Sequence, residues 1–301
     1  MVERLHFEDE IRKNKIKSTL LVFGIIVFFI LLGFIIGKIL GPDYFFLVMI
    51  ISIIFSLGYT LYSYYNSDKI ALASVKARPA SRSEHRALID AVESMALASG
   101  LPVPKIYVMN SRDINAFASG RDPQHSVICF TTGALEKLNK QELEGVVAHE
   151  MSHIANFDIR FMTLTTVLVG MISILAEIFL RSLWFSSNDG DNRGRSGAIL
   201  ILVGIILSIL APIAAQLVAL AVSRRREYNA DATGVKFTRS PTGLRNALVK
   251  IKGEHVVAGE KHRFPKAMAP LFISDPFKRK ITGLFATHPP IDDRIKRLER
   301  M

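Results

Sequence analysis

The chain has 301 residues, of which 38 are basic, 27 acidic and half hydrophobic. A mean hydropathy of +0.28 is too apolar for an ordinary soluble enzyme, and the lone cysteine, Cys129, excludes an intrachain disulfide and fits a reducing compartment. The net charge of +11 does not point to nucleic acid: no basic stretch is interleaved with aromatics, and the basic residues flank apolar runs as they do at a cytoplasmic membrane face.

Residues 1–17 form a basic tail carrying Arg4, Arg12, Lys13, Lys15 and Lys17. Two apolar runs follow. Residues 18–40 hold one charge, Lys38, and residues 44–65 hold none; about 20 residues suffice to span a bilayer as a helix. Gly41-Pro42-Asp43 makes a tight link, so 18–65 is expected to be a transmembrane hairpin. The first run exceeds the apolar core of a signal peptide and lacks a small-residue cleavage site, so it is expected to be retained. Tyr59, Tyr62, Tyr64 and Tyr65 crowd the end of the second run, as an interfacial belt does.

Residues 66–160 are soluble in character. The pattern predicts an amphipathic helix over 83–99, closed by Gly100 and Pro102, and a strand over 105–109. It also predicts a hairpin of 115–119 with 126–130 around Gly120-Arg121-Asp122-Pro123. Asn139 with Glu142 three residues on forms a capping box that starts a helix whose apolar side is Leu143, Val146, Val147 and Ile154. Residues 161–184 and 197–222 are apolar but interrupted by Glu177, Arg181, Pro212 and Gln216, and are read as a second transmembrane or membrane-embedded pair. The basic tail and Arg224-Arg225-Arg226, set against non-basic connectors, place both termini and residues 66–160 in the cytoplasm. Residues 223–301 are again soluble. Pro289-Pro290 suits a helix start, and Ile291, Ile295 and Leu298 mark the apolar side of a last helix.

The capped helix carries His149-Glu150-Met151-Ser152-His153. Residues four apart share one helical face, so both imidazoles can grip one cation, and Glu150 can hold a water on it. A catalytic zinc takes three protein ligands and keeps one position open. The best source of the third is Glu227-Tyr228-Asn229-Ala230-Asp231, where Glu227 and Asp231 are also four apart. Glu227 can bind the metal while Asp231 accepts a hydrogen bond from a ligand imidazole. On pattern alone these charges can equally be a solvated face after a membrane helix. Geometry favours joining them: His153 lies eight residues before the third apolar run and Glu227 five after the fourth. Straight helices would put each roughly 8–12 Å outside the bilayer, at the same level.

With these motifs, the chain resembles the HtpX family of integral membrane zinc metalloproteases, relatives of Ste24-type CaaX proteases. The likeness spans nearly the whole chain. It rests on the apolar hairpin, on Asn115-Ala116-Phe117-Ala118-Ser119-Gly120, on Val147-Ala148-His149-Glu150-Met151-Ser152-His153, on Glu227 to Asp231, and on Thr287-His288-Pro289-Pro290 with Arg294. The resemblance implies one zinc per chain held by His149, His153 and Glu227, a cytoplasm-facing site, and a role in degrading damaged membrane proteins. The expected architecture is mainly α with a small β-hairpin or sheet, a multi-span membrane protein whose cytoplasmic zincin-like domain is built from two discontinuous segments, 66–160 and 223–301.

The chemistry expected of it is peptide hydrolysis with Glu150 as general base. The resemblance points to the His288 region for a donor to the tetrahedral oxyanion, with Arg294 orienting it; otherwise His288 is a plain helix-entry residue. Asn115, Ala116, Phe117 and Ala118 are expected to form an exposed edge strand to which an extended polypeptide adds by main-chain hydrogen bonds, the plain alternative being a core hairpin. The expected partners are polypeptide substrates, mainly membrane proteins, and the bilayer. Two competing functions are a processing protease for prenylated peptides and a noncatalytic membrane scaffold. Four candidate spans are few for a chamber-forming prenyl-protein protease, and a scaffold has no reason to keep base, ligands and second carboxylate together.

Overall fold

The structure, a computed structural model, describes residues 7–166, 204, 224–254, 268, 271–274 and 289–301. The predicted spans 161–184 and 197–222 fall almost wholly outside the described residues.

Two helices open the chain, α1 (Phe7–Leu40) and α2 (Pro42–Tyr65). They turn on Gly41, whose φ of 106° is open to glycine but costly for other residues. Pro42 begins α2 at the position where its missing N–H is harmless. Both are long and apolar enough to cross a membrane, over Ile11–Lys38 and Pro42–Tyr65. Their outer faces expose Leu20, Phe23, Leu31, Phe46, Ile50 and Ile54, apolar side chains of the kind that mark a membrane or protein contact. α1 begins well before the predicted run and continues helical through Arg12 to Lys17.

One stripe of α1 faces inward: Asn14, Ser18, Leu21, Ile25 and Phe29, spaced three or four apart. Its apolar part packs on Phe161 and Leu164 of the helical stretch 158–166. The first apolar helix is thus fastened to the segment that follows the His-containing helix.

After the short α3 (Ser67–Ser74), a four-stranded mixed sheet has the order β1-β2-β4-β3, from β1 (Arg78–Pro79), β2 (Lys105–Met109), β3 (Ala116–Gly120) and β4 (Ser126–Thr131). β3 and β4 form the predicted hairpin, Ala116 opposite Phe130. β2 runs parallel to β4, a pairing that the sequence pattern does not announce. Between β1 and β2, α4 (Arg86–Ser99) buries Leu88, Ala91, Val92, Met95 and Ala96. It stops at Gly100, which is left-handed at φ 70°. α4 starts later than predicted because residues 81–85 close a turn first, with the Ser81 N–H donating to His85 Nδ1 at 3.3 Å. Cys129 is buried in β4, and burial pushes its thiol up, so it is inert.

α5 (Thr132–Lys137) leads to α6 (Lys140–Ala155), the His-containing helix. The capping box forms as expected: Glu142 N–H donates to Asn139 Oδ1 at 2.9 Å, and Asn139 N–H donates to Glu142 Oε2 at 2.8 Å. α6 is enclosed by α4, by α7 (Arg224–Thr238) and by α8 (Thr242–Gly253). Gly145 allows the α8 crossing, since a methyl there would run into the backbone at Leu244. The last helix, α9 (Ile291–Leu298), buries Arg294 and Leu298, while Ile291 and Ile295 pack half-buried on the same core. Residues 66–160 and the described residues from 224 onward therefore build an α-rich body around a small sheet.

Candidate metal centre

α6 supplies two imidazoles to the centre of that body. His149 and His153 lie one turn apart and are buried, with ring centroids 4.9 Å apart and planes at 87°. α7 crosses α6 closely because Gly234 has no side chain: a Cβ there would sit 3.1 Å from the His149 main-chain nitrogen. That approach brings the Glu227–Asp231 stripe of α7 against the imidazoles.

The carboxylate of Glu227 bridges the two rings. Oε2 is 3.6 Å from His149 Nε2, and Oε1 is 3.7 Å from His153 Nε2. One ligand atom from each of these residues lies within 4.8 Å of the others. Donors about 2.1 Å from one tetrahedral ion stand about 3.4 Å apart, so this spacing accepts a cation with little adjustment.

Each imidazole is oriented by its other nitrogen. His149 Nδ1 lies 2.9 Å from Asp231 Oδ1, and His153 Nδ1 lies 3.0 Å from Asp158 Oδ2. With Nδ1 donating to a carboxylate, Nε2 keeps its lone pair for a metal. The sequence reading placed Asp231 here but missed Asp158. The signal was available: Asp158 follows His153 by five positions, just past the Asn156-Phe157 turn that ends α6.

Two guanidinium groups hold these acids in place. Arg294 donates from Nε to Asp231 Oδ2 at 2.9 Å and from Nη2 to Asp231 Oδ1 at 2.6 Å. Its Nη1 donates to the Ile273 carbonyl at 3.3 Å and lies 3.4 Å from Glu227 Oε2. Arg226 Nε lies 2.8 Å from Asp158 Oδ1. The structure puts Arg294 on Asp231; the expected partner of Arg294, His288, lies outside the described residues.

Charge tests whether these residues suit a cation. Glu150, Glu227, Asp231 and Asp158 are all buried, against Arg226 and Arg294. With the four acids ionised and the imidazoles neutral, two negative charges remain, which a divalent cation offsets. The donor set therefore fits a divalent metal in composition, spacing and charge.

Burial shapes the titrations. It pushes the Glu150 carboxyl above its ordinary range, against the pull of His149 and His153. Burial raises Asp231 too, but Arg294 and His149 outweigh it and hold the acid low. Burial and Arg294 depress His149, yet its pairing with Asp231 and the facing Glu227 carboxylate prevail and raise it to about 9. A cation must displace that proton. Below pH 9 the apparent metal affinity is therefore expected to fall roughly tenfold per pH unit, with about one proton released per ion bound. Calorimetric titration in buffers of different ionisation enthalpy checks this; pH-independent binding between 7 and 8 would contradict it.

Sequence reading expected Asn115 to Ala118 to form an exposed edge. β3 is last in the sheet order, but it is buried throughout. Phe117 packs edge-on against Phe272 at 5.5 Å, and the outer edge is partly covered where the Ile273 N–H donates to the Ala116 carbonyl at 3.0 Å. Asn115 Nδ2 donates to the Ser274 carbonyl at 3.0 Å. Thr131 N–H bonds the Asn115 carbonyl, so by alternation Ala116, Ala118 and Gly120 turn their main-chain groups outward.

Peptidase family M48 matches residues 82–301. A "Protease HtpX homolog" of Caldanaerobacter subterraneus subsp. tengcongensis is 49% identical over 251 residues, covering 82% of this chain and 83% of its own length. A "Protease HtpX homolog" of Tropheryma whipplei is 41% identical over 294 residues, covering 97% of both chains. Among solved structures, the crystal structure of S. mikatae Ste24p covers 97% of this chain and 67% of that one, at 20% identity and a TM-score of 0.48.

Proposed function

Because the chain belongs to peptidase family M48, among the HtpX-type proteases, and is therefore a metallopeptidase, we propose that it is a zinc-dependent endopeptidase of the cell membrane acting on damaged or misfolded membrane proteins. The observation that carries the reading is the convergence of two carboxylate-fixed imidazoles and Glu227 on one point. His149, His153 and Glu227 would hold one zinc per chain. When bound, zinc supplies a Lewis acid that polarises the scissile carbonyl and acidifies the attacking water.

The protein's own residues do the rest. Glu150, one residue from the first ligand, accepts the proton of the attacking water and returns it to the leaving amine. Its raised affinity for protons suits that second task. Asp231 and Asp158 fix the tautomers of His149 and His153. His288 is the proposed donor to the oxyanion. The substrate backbone adds along the outer edge of β3, at the segment Asn115 to Ala118. With the Ala116 carbonyl already taken, the outward groups of Ala118 are the natural first pair.

α1 and α2 hold the enzyme in the bilayer, with 161–184 and 197–222 as a second pair and the catalytic body on the cytoplasmic side. Composition of the flanks, rather than position in space, supports that orientation.

Glu227→Ala removes one of three ligands. Zinc affinity is expected to fall by at least about 100-fold, and hydrolysis of a casein-like substrate in detergent to fall with it. Metal analysis of the purified variant decides the matter: a full complement of tightly held zinc would reassign the third ligand.

A further inference from the structure

Asn14 is a buried polar residue in the basic first part of α1, the helix whose later part is apolar enough to cross a membrane. It sits at the inner end of the α1 stripe and is 2% exposed. Its Nδ2 donates to Asp158 Oδ1 at 2.7 Å and to the Asn156 carbonyl at 3.0 Å. Its Oδ1 accepts from Arg226 Nη2 at 3.4 Å. The other oxygen of Asp158 holds His153 Nδ1. A continuous chain of hydrogen bonds therefore runs from the first apolar helix to a metal ligand.

The turn that α1 grips needs holding. Phe157 lies between Asn156 and Asp158 at φ 56°, a left-handed conformation that is strained for a bulky residue. The Lys15 ammonium sits over the Phe157 ring at 4.4 Å, next to the Asn14 contacts. Two successive residues of α1 thus clamp the turn that presents Asp158. Leu21, Ile25 and Phe29 then pack the same helix along the stretch that Asp158 begins.

We propose that Asn14 is a positioning residue of the metal centre: acting through Asp158, it fixes the His153 imidazole, so that the membrane anchor is a working part of the site. This rests on the assignment of His153 as a ligand. Asn14 does not touch the metal or the substrate. It narrows the orientations open to Asp158, and buried hydrogen-bonded chains of this kind act cooperatively on the group at their end. A catalytic body severed from α1 would keep its ligands but present one of them loosely.

The test is a double-mutant cycle on zinc affinity, read with buffered zinc on full-length protein in detergent. The variants are Asn14→Ala, Asp158→Asn, the pair, and Leu21→Ala. Asn14→Ala is expected to weaken zinc roughly three- to tenfold, less than the 10–100-fold typical for a group bonded directly to a ligand histidine. On the Asp158→Asn background, adding Asn14→Ala is expected to change affinity less than twofold, because its route to His153 is already broken. Leu21→Ala loosens the same helix without touching the polar chain. It is expected to lower the melting temperature and leave zinc affinity unchanged.

Unchanged affinity in Asn14→Ala, full additivity with Asp158→Asn, or an equal loss in Leu21→Ala would each overturn the proposal. If Asn14→Ala does not yield folded protein, Asn14→Ser keeps a shorter donor and the same comparisons apply to it. Wild-type protein that binds no zinc would refute the metal-site reading itself, which separates that failure from failure of this one.

Discussion

Glu150→Gln is expected to keep its zinc and to lose peptide hydrolysis by roughly 10²–10⁴-fold, the range that general acid–base catalysis supplies. The substitution is nearly isosteric, and Glu150 is not among the three converging ligands. Metal content and melting temperature should therefore match those of the unaltered protein. The amide can neither take a proton from water nor return one to an amine. Both measurements belong on the same preparation, with a casein-like substrate in detergent. Wild-type cleavage by a zinc-loaded Glu150→Gln protein would move the base elsewhere.

Asp231→Ala is expected to damage both stability and metal binding. Arg294 is 0% exposed and sends two short hydrogen bonds into this carboxylate. Stripping one partner from a buried pair costs about 3–5 kcal/mol, because a desolvated charge is left behind. The guanidinium then has Glu227, 3.4 Å away, as its nearest acid, and would compete for a ligand. His149 loses its orienting acceptor as well, for which a 10–100-fold loss of metal affinity is typical. A markedly lower melting temperature of the metal-free protein, with weakened zinc binding, is the expected result. Two unchanged values would show that Asp231 is merely near the site.

What the sequence made legible follows from the range of each interaction. The capping box at Asn139 and Glu142, the α4 stop at Gly100 and the strand 105–109 are local rules acting over a few residues, and they stand in the structure as read. The H-E-x-x-H spacing is local too. Joining it to Glu227 rested on residue counts to the apolar runs and on a family resemblance, because the closeness of α6 and α7 depends on Gly234, whose role appears only when the helices meet. Asp158 was legible in principle and overlooked. Asn14 was not legible at all: an asparagine in a basic stretch before an apolar run looks like solvent-facing punctuation, and only the packing of α1 along 158–166 turns it inward. The parallel pairing of β2 with β4 is likewise a long-range choice. The buried state of β3 is another, since it depends on Phe272 and Ile273 arriving from far down the chain.

The division of the ligand set between α6 and α7 bears on the chain's birth. A ribosome that has delivered α6 has delivered both imidazoles and the base, but no third ligand and no acceptor for His149. On the proposed ligand assignment, such a half-made centre would hold its ion weakly and could not cut. The nascent polypeptide would stay unarmed until its later half folds back onto its earlier one.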